Sequence, residues 1–540
     1  MKRPGWTVGS WALALLLTLP VMALLYEALL PAEDLFRHLW GTVLPAYINN
    51  TFWLVLLVMV FSLLCGVPAA WLMAMCELPG KRWLQWALIL PLAMPSYIVA
   101  FVYTDLLDFS GPVQVTLRQW FGWQSAGDYY FPPIRTLGGA ALMLGLVLYP
   151  YVYLLARTAF LEQSTSLIQS SRLLGCTPWQ SFKRVSLPLA RPSIAVGLSL
   201  VAMETLSDFG TVNFFAVNTL TTAVYDTWLG YGSLNAAAKI AAMMLLVVML
   251  LLSVERISRK RQQVFQKGMG HEQETGYQLK GVAKWGALAF CWGLVVVGFL
   301  LPFVILCYHA IHYFEQSWNA RFFEYSINSL VLSTLVAGLA LFIALLLGMT
   351  HRLTGKTYTV LPMRLASMGY ALPGTVLAIG VLVPLTSLDF AINDLALWLG
   401  LSEPGLLLTG TMTAIAFGYL VRFGAMAVGA VESSLGKVSP SLDMVTQTMG
   451  YGPGAMMMKV HMPLIRKGML AGALLVFIEC MKELPAALLL RPFNFQTLAT
   501  YVYQFVSDEQ LEVGALPAIV IVLVGLIPLI FLNRSLEQHH

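Results

Sequence analysis

The chain has 540 residues, of which 58% are hydrophobic and only 11% charged. A soluble domain carries about 25% charged residues, so there is too little charge here to coat a water-facing surface, and a soluble enzyme is excluded. The net charge of +5 gives no support to nucleic-acid binding, and the six cysteines (Cys65, Cys76, Cys176, Cys291, Cys307, Cys480) show no CxxC pair or regular spacing that would indicate disulfides or a metal cluster.

Crossing roughly 30 Å of hydrocarbon takes about 20 apolar residues, and twelve stretches qualify. In chain order they cover 7–30, 52–75, 83–107, 137–160, 193–217, 236–253, 285–309, 328–350, 361–388, 406–431, 468–490 and 514–532. Lys2 and Arg3 precede the first, but it is longer than the apolar core of a signal peptide and no small-residue cleavage site follows it, so it reads as a retained helix. With the N-terminus inside, the termini and the even-numbered loops collect 24 of the 32 lysines and arginines and the opposite loops six, with Arg422 and Lys482 inside spans. Positive charge marks the cytoplasmic face, so both termini are expected there.

Six spans, a charged linker and six more spans describe a duplication. Asn50-Thr51 matches Asn328-Ser329 and Met94-Pro95 matches Leu372-Pro373, both at an offset of 278, while Gly175/Gly450, Pro178/Pro453 and Glu204/Glu479 match at 275. The expected organisation is a first repeat over 1–255, a cytoplasmic linker over 256–284 and a second repeat over 285–540. Each repeat has an even number of spans, so the two are parallel and related by a pseudo-twofold axis along the membrane normal, with the site of action between the halves. The fold class is an all-α integral membrane protein.

The longest cytoplasmic loop of each half, 162–192 and 432–467, carries a glycine, nine residues, an aliphatic residue, one residue, Leu or Met, and then proline. These residues are Gly175, Val185, Leu187 and Pro188 in the first copy and Gly450, Val460, Met462 and Pro463 in the second. The glycine offers a φ > 0 turn between helices, and the proline ends the segment before the chain re-enters the bilayer. This pattern resembles the EAA loop of ABC importer permeases. The resemblance implies a helix, a glycine turn and a second helix that dock into a separate ATP-hydrolysing subunit. The acidic position of the family pattern is occupied by Gln169 in copy one and by Met444, next to Asp443, in copy two, so a contact relying on that carboxylate is in doubt. Thr354-Gly355-Lys356-Thr357 ends like a P-loop, but Thr350 stands where its first glycine belongs and no buried strand precedes it, so ATP is expected on a partner and no cofactor on this chain.

Ionisable residues in mid-span are costly and mark a pathway or a paired contact. Glu204 and Asp208, and Glu479 and Glu483, are spaced i, i+4, which on one continuous helix places each pair on one face near the bilayer midplane. They are candidate ligands for a transported hard cation. The other reading is structural, with Lys482 and Arg422 neutralising them. Ser207 stands where copy two has Lys482, so the first pair is the better ligand candidate.

The sequence around these acids, Glu204 to Thr211 and Lys482 to Phe493, resembles the ferric-iron branch of the ABC permeases, and the fused two-copy layout extends that resemblance over nearly the whole chain. It implies Fe3+ as cargo, a periplasmic ferric-binding protein, two ATPase subunits as partners and the bacterial inner membrane as location, with surrounding lipid and no nucleic acid. Another binding-protein-delivered cargo (thiamine, a polyamine, sulfate) and a twelve-span secondary transporter are the competing readings. The eight histidines, including His309, His312 and His461, form no cluster and look incidental.

Overall fold

The structure, a computed structural model, describes residues 4–31, 34–163, 169–171, 173–262, 277–354 and 357–537. It is built almost wholly of helices. The longer ones used below are α1 (Pro4–Leu29), α2 (Leu44–Met75), α3 (Ser96–Leu107), α4 (Leu137–Leu161), α5 (Leu187–Ser207), α6 (Gly210–Phe214), α7 (Leu234–Gln262) and α8 (Gly281–His312). They continue with α9 (Ala320–Thr354), α10 (Gly374–Trp398), α11 (Met412–Gly436), α12 (Pro440–Thr448), α13 (Met462–Lys482), α14 (Pro485–Leu490) and α15 (Leu511–Glu537). Among the described residues ten helices are long and apolar enough to span a membrane, and the pair Lys81–Ala93 and Ser96–Phe121, bent by 92°, makes an eleventh. The eleventh expected span corresponds to α13, which is not among these ten because it carries Arg466, Lys467, Glu479 and Lys482.

Three expected spans are broken. The third bends at Pro95. The fifth and eleventh stop early, at Ser207 and Lys482, and restart as the short helices α6 and α14. The Gly355-Lys356 turn and the linker residues 263–276 lie outside the described residues, but the linker's end is placed. Tyr277–Gln278 (β2) pairs in parallel with Cys76–Glu77 (β1), and the Tyr277 ring sits 6.0 Å from that of Trp71.

The chain forms two compact units, and these cut across the sequence halves. One comprises Val43–Thr222, Leu246–Ser317 and Val502–His540; the other comprises Met1–Thr42, Ala223–Leu245 and Trp318–Tyr501. In the first unit α2, α4 and α5 pack together. Small residues let them approach closely: a Cβ on Gly66 would stand 2.9 Å from the Tyr149 carbonyl oxygen, and one on Gly197 3.0 Å from Val152 Cα. In the second unit α9, α11 and α13 form the corresponding core, with Gly472 against Ala430 and Gly348 against Val431 and Leu435.

The outer members are exchanged between the sequence halves. α1, first in the chain, packs on α9 and α10 of the second half, where Gly380 leaves room for the Pro20 carbonyl. Its C-terminal carbonyls are held from α7: the buried Lys239 donates from Nζ to the oxygens of Ala28 (2.9 Å) and Leu30, and Asn235 Nδ2 donates to Glu27 O at 3.3 Å. A cation at a helix C-terminus satisfies carbonyls that have no partner inside the helix. Conversely α8 and α15 pack together in the unit built on the first half.

The sequence duplication recurs as duplicated local structure. α4 and α11 both have 25 residues and begin after a threonine N-cap, Thr136 and Thr411. α5 and α13 both have 21. Thr51 Oγ1 accepts the N–H of Leu220 in one unit, and Ser329 Oγ accepts that of Leu498 in the other. Asn50 and Asn328 donate likewise to the carbonyls of Asn218 and Gln496.

Candidate functional site

The two glycine turns are built alike. Gly175 has φ 76° and Gly450 φ 80°. In each the residue after the glycine donates its N–H back to the residue five before it, Cys176 to Ser171 O at 3.0 Å and Tyr451 to Thr446 O at 3.1 Å. This is the Schellman termination of a helix, which places a left-handed residue just beyond the helix end. Nothing lies within 4 Å of a Cβ built on either glycine, so backbone strain alone demands the residue type. A second helix then starts at a proline: Thr177 and Gln180 form a capping box ahead of Pro178–Ser181, while Gly452 precedes Pro453–Met456.

Around these turns the side chains on show are apolar. Leu173 and Leu174 are 88% and 83% exposed, Met444 and Met449 61% and 65%, and Trp179, Val445 and Met458 are also exposed. Gln169, at the position of the family's acid, is exposed as well. Val185, Leu187, Val460 and Met462 are half-buried and anchor the loops from below; Pro188 is half-buried and Pro463 exposed. Asp443 turns inward, its carboxylate 2.7 Å from Arg352 Nε and 3.0 Å from His461 Nε2. Residues 164–168 and 172 of the first loop lie outside the described residues.

From each turn one helical run leads to the acids. Pro178–Ser207 is 30 residues without a break, containing a π-helical turn at Phe182–Ser186. Pro453–Met456, Met457–His461 and Met462–Lys482 follow one another in the same way, again with a π-helical turn in the middle. At 1.5 Å per residue each rod is about 45 Å long.

At the far end of the rods the acids do not share a helical face as their spacing implied. Glu204 and Glu479 lie in the last turn of their helices, but Asp208 and Glu483 follow the helix end in extended conformation, ψ 127° and 123°. Their position is explained by capping: a carboxylate just outside a helix accepts the N–H groups left unpaired at the next helix start. Asp208 accepts from Thr211 N (3.0 Å) and Val212 N (3.3 Å) of α6, and Glu483 from Ala486 N (3.0 Å) of α14.

The other contacts of the two carboxylates differ between the copies. Asp208 takes the hydroxyls of Ser96 (2.5 Å), at the start of α3, and Thr211 (3.1 Å). Glu483 pairs with the Arg422 guanidinium at 2.8 Å, both side chains at most 10% exposed. Gly374, which matches Ser96 at the 278 offset, has no side chain because one would collide with Arg422 and Glu483. Lys482 pairs with Glu479 at 2.8 Å. Glu204 is half-buried, with Ser207 rather than a lysine three residues on. Within each unit, among the described residues, no three His, Cys, Asp or Glu side chains converge closely enough to hold a metal ion.

Sequence reasoning identified the four acids, Arg422 and Lys482, but missed Ser96, Thr211, Gly374, Arg352 and His461. The Ser96/Gly374 exchange next to the matched prolines 95 and 373 was a usable signal; the Arg352 contacts had none.

The sequence profile described as "Binding-protein-dependent transport system inner membrane component" matches residues 66–264. The Fe(3+)-transport system permease protein FbpB 2 of Haemophilus influenzae is 26% identical over 509 residues, which cover 93% of this chain and 91% of that protein. The molybdenum transport system permease protein ModB of Escherichia coli is 30% identical over 215 residues, 38% of this chain and 90% of the relative. The sulfate transport system permease protein CysT of Escherichia coli is 25% identical over 223 residues, covering 40% and 76%. With two glycine-turned loops, two copies of one helical pattern and a relative of the same fused length, the chain belongs to the family of inner-membrane permease components of binding-protein-dependent ABC importers.

Proposed function

We propose that this permease carries ferric iron inward across a bacterial inner membrane, delivered by a periplasmic ferric-binding protein and driven by ATP hydrolysed on two copies of a separate subunit. The chain itself has no nucleotide site in this reading. Residues 1–255 and 285–540 are its two transport repeats, joined by the cytoplasmic linker, with both termini cytoplasmic.

The observation that carries the mechanism is the pair of unbroken rods. Each joins an exposed apolar turn at one end to an intramembrane carboxylate at the other, so a partner that grips and moves the turn moves the acids with it. The exposed Leu173, Leu174, Met444 and Met449 suit an apolar groove on that partner. A hard trivalent cation prefers oxygen ligands. Asp208 and Glu483 cap the helices that follow them, and we assign Glu204, half-buried in the last turn of its rod, to the cargo path, with Glu479 paired to Lys482.

The iron assignment draws on the relative that spans nearly the full chain; the molybdenum and sulfate relatives support an oxyanion as the second reading. Uptake by proteoliposomes containing the chain, its ATPase and candidate binding proteins decides between them. Ferric iron is expected to accumulate only with ATP and both partners, and Glu204→Gln is expected to lower its initial rate at least severalfold while the ATPase stays bound. Uptake of molybdate or sulfate instead of iron rejects the cargo, and uptake without ATP rejects the mechanism.

A further inference from the structure

The second docking loop has an internal ion-pair lock whose residues have no charged counterparts at the matching positions of the first. Arg352, in the last turn of α9, directs its guanidinium into the cytoplasmic end of its unit. Nε donates to Asp443 Oδ2 on α12 at 2.7 Å, Nη1 to the carbonyl of Leu435 at the end of α11, and Nη2 to the carbonyls of Val438 (2.8 Å) and Ser439 (3.2 Å) in the connector to α12. On the other side of Asp443 stands His461, 1% exposed, with Nε2 3.0 Å from Oδ1 but off the hydrogen-bonding direction.

One planar fork therefore fixes three successive pieces of chain, and the buried surroundings give its charge-assisted bonds weight that a surface pair lacks. The Arg352 and Asp443 side chains are 13% and 16% exposed. α12 presents Met444 and Val445, with Met449 just past its end, so the lock sits under the exposed docking face and leaves it free.

In the first half the matching residues are Ala74, Ile168 and Ser186, none of which can form an ion pair. In the described part of that loop Gln163 Nε2 donates to the Ser186 carbonyl at 2.9 Å, and the Ser171 and Ser181 hydroxyls meet at 2.9 Å.

We propose that Arg352, acting through Asp443 and seated against His461, is a coupling residue that makes the second docking helix one rigid body with α9 and α11, so that the two loops transmit force unequally. The proposal rests on the reading that these loops dock an ATPase. Arg352 touches neither cargo nor nucleotide; it positions the helix that does the docking.

Two measurements test it. In the full-length chain alone, a spin label at Met444→Cys reports local motion by its line shape. Arg352→Ala is expected to mobilise that label to the level of one at Leu174→Cys, while leaving the Leu174→Cys label unchanged. In the reconstituted transporter, Arg352→Ala is expected to raise the ATP consumed per ion transported at least threefold with ATPase binding within twofold of the parent. Arg352→Lys, which keeps the charge but not the fork, is expected to fall between.

If Arg352→Ala fails to assemble, Asp443→Asn decides, because it spares the three carbonyl bonds. Its expected result is the same direction of change, and an unaltered label and stoichiometry overturn the proposal. The swapped pair Arg352→Asp with Asp443→Arg is expected to regain part of the coupling; no recovery beyond Arg352→Ala counts against the ion pair as the cause. A parent complex that shows no ATP-dependent uptake defeats the docking reading itself, whereas a coupled parent with equally coupled variants defeats only the lock.

Discussion

Asp208 and Glu483 occupy matched places after matched helices, yet one is satisfied by hydroxyls and the other by an arginine. The difference comes from two exchanges elsewhere: Ser96 against Gly374, and Val147 against Arg422. Breaking a buried ion pair from one side leaves an uncompensated charge that costs about 3–5 kcal/mol. Arg422→Met is therefore expected to lower the unfolding midpoint in detergent sharply, and Arg422→Met with Glu483→Gln to recover most of the loss. Equal midpoints for the single and double variants reject this account. His461 gives a pH dependence at the same scale. Burial holds its pKa below the ordinary histidine value, against the pull of Asp443 on α12 and with a smaller push from Arg352 on α9. The folded state thus binds fewer protons than the unfolded one, so this contribution is complete above the unfolded pKa of about 6.5 and is lost as pH falls from there through the depressed folded value. His461→Gln is expected to flatten that stretch of the stability profile, measured between pH 7.5 and 5.

At the scale of elements, hydropathy predicted where helices run but not where they stop or what they touch. Both helices stop one residue short of the second acid, and Asp208 there meets a hydroxyl from Ser96, far away in the chain, so a regular i, i+4 spacing misled. The turns at Gly175 and Gly450 were legible because glycine at a left-handed position is a local requirement. α13 was legible as an apolar stretch from residue 468 onward, and its match to the fifth span supported it, although the charges at its two ends make it more polar than the other long helices. The docking of α1 was not legible at all, since a helix apolar on all sides does not encode which neighbours it will have. What holds its end is a polar contact, Lys239 on two carbonyls. Bonds from a charged donor contribute about 1.5–3 kcal/mol. Lys239→Met is expected to cost that order of stability and to speed hydrogen exchange in residues 20–29 while leaving α11 protected; uniform exchange change across both would show a global effect instead.

For the whole molecule, the duplication preserved the mechanical plan and let the chemistry diverge. Both copies keep the turn, the π-helical turn and the 30-residue run. Only the second copy carries arginine at Arg422 and the lock at Arg352, and only the first leaves a half-buried acid, Glu204, without a lysine three residues on. A two-chain permease assembled from identical subunits has no route to such a division, because every substitution would appear in both halves.

The exchange of α1 also sets a schedule for biogenesis. α1 ends at Leu29 and its partner α10 begins at Gly374, so at about 5–20 residues per second the ribosome needs tens of seconds to make one after the other. Before α9 and α10 exist, the first helix is held at its C-terminal end, by Lys239 and Asn235 of α7, and lacks the neighbours it will have along its length. Completing the second half is what covers its flanks, so the first helix to be made is among the last to be fully packed.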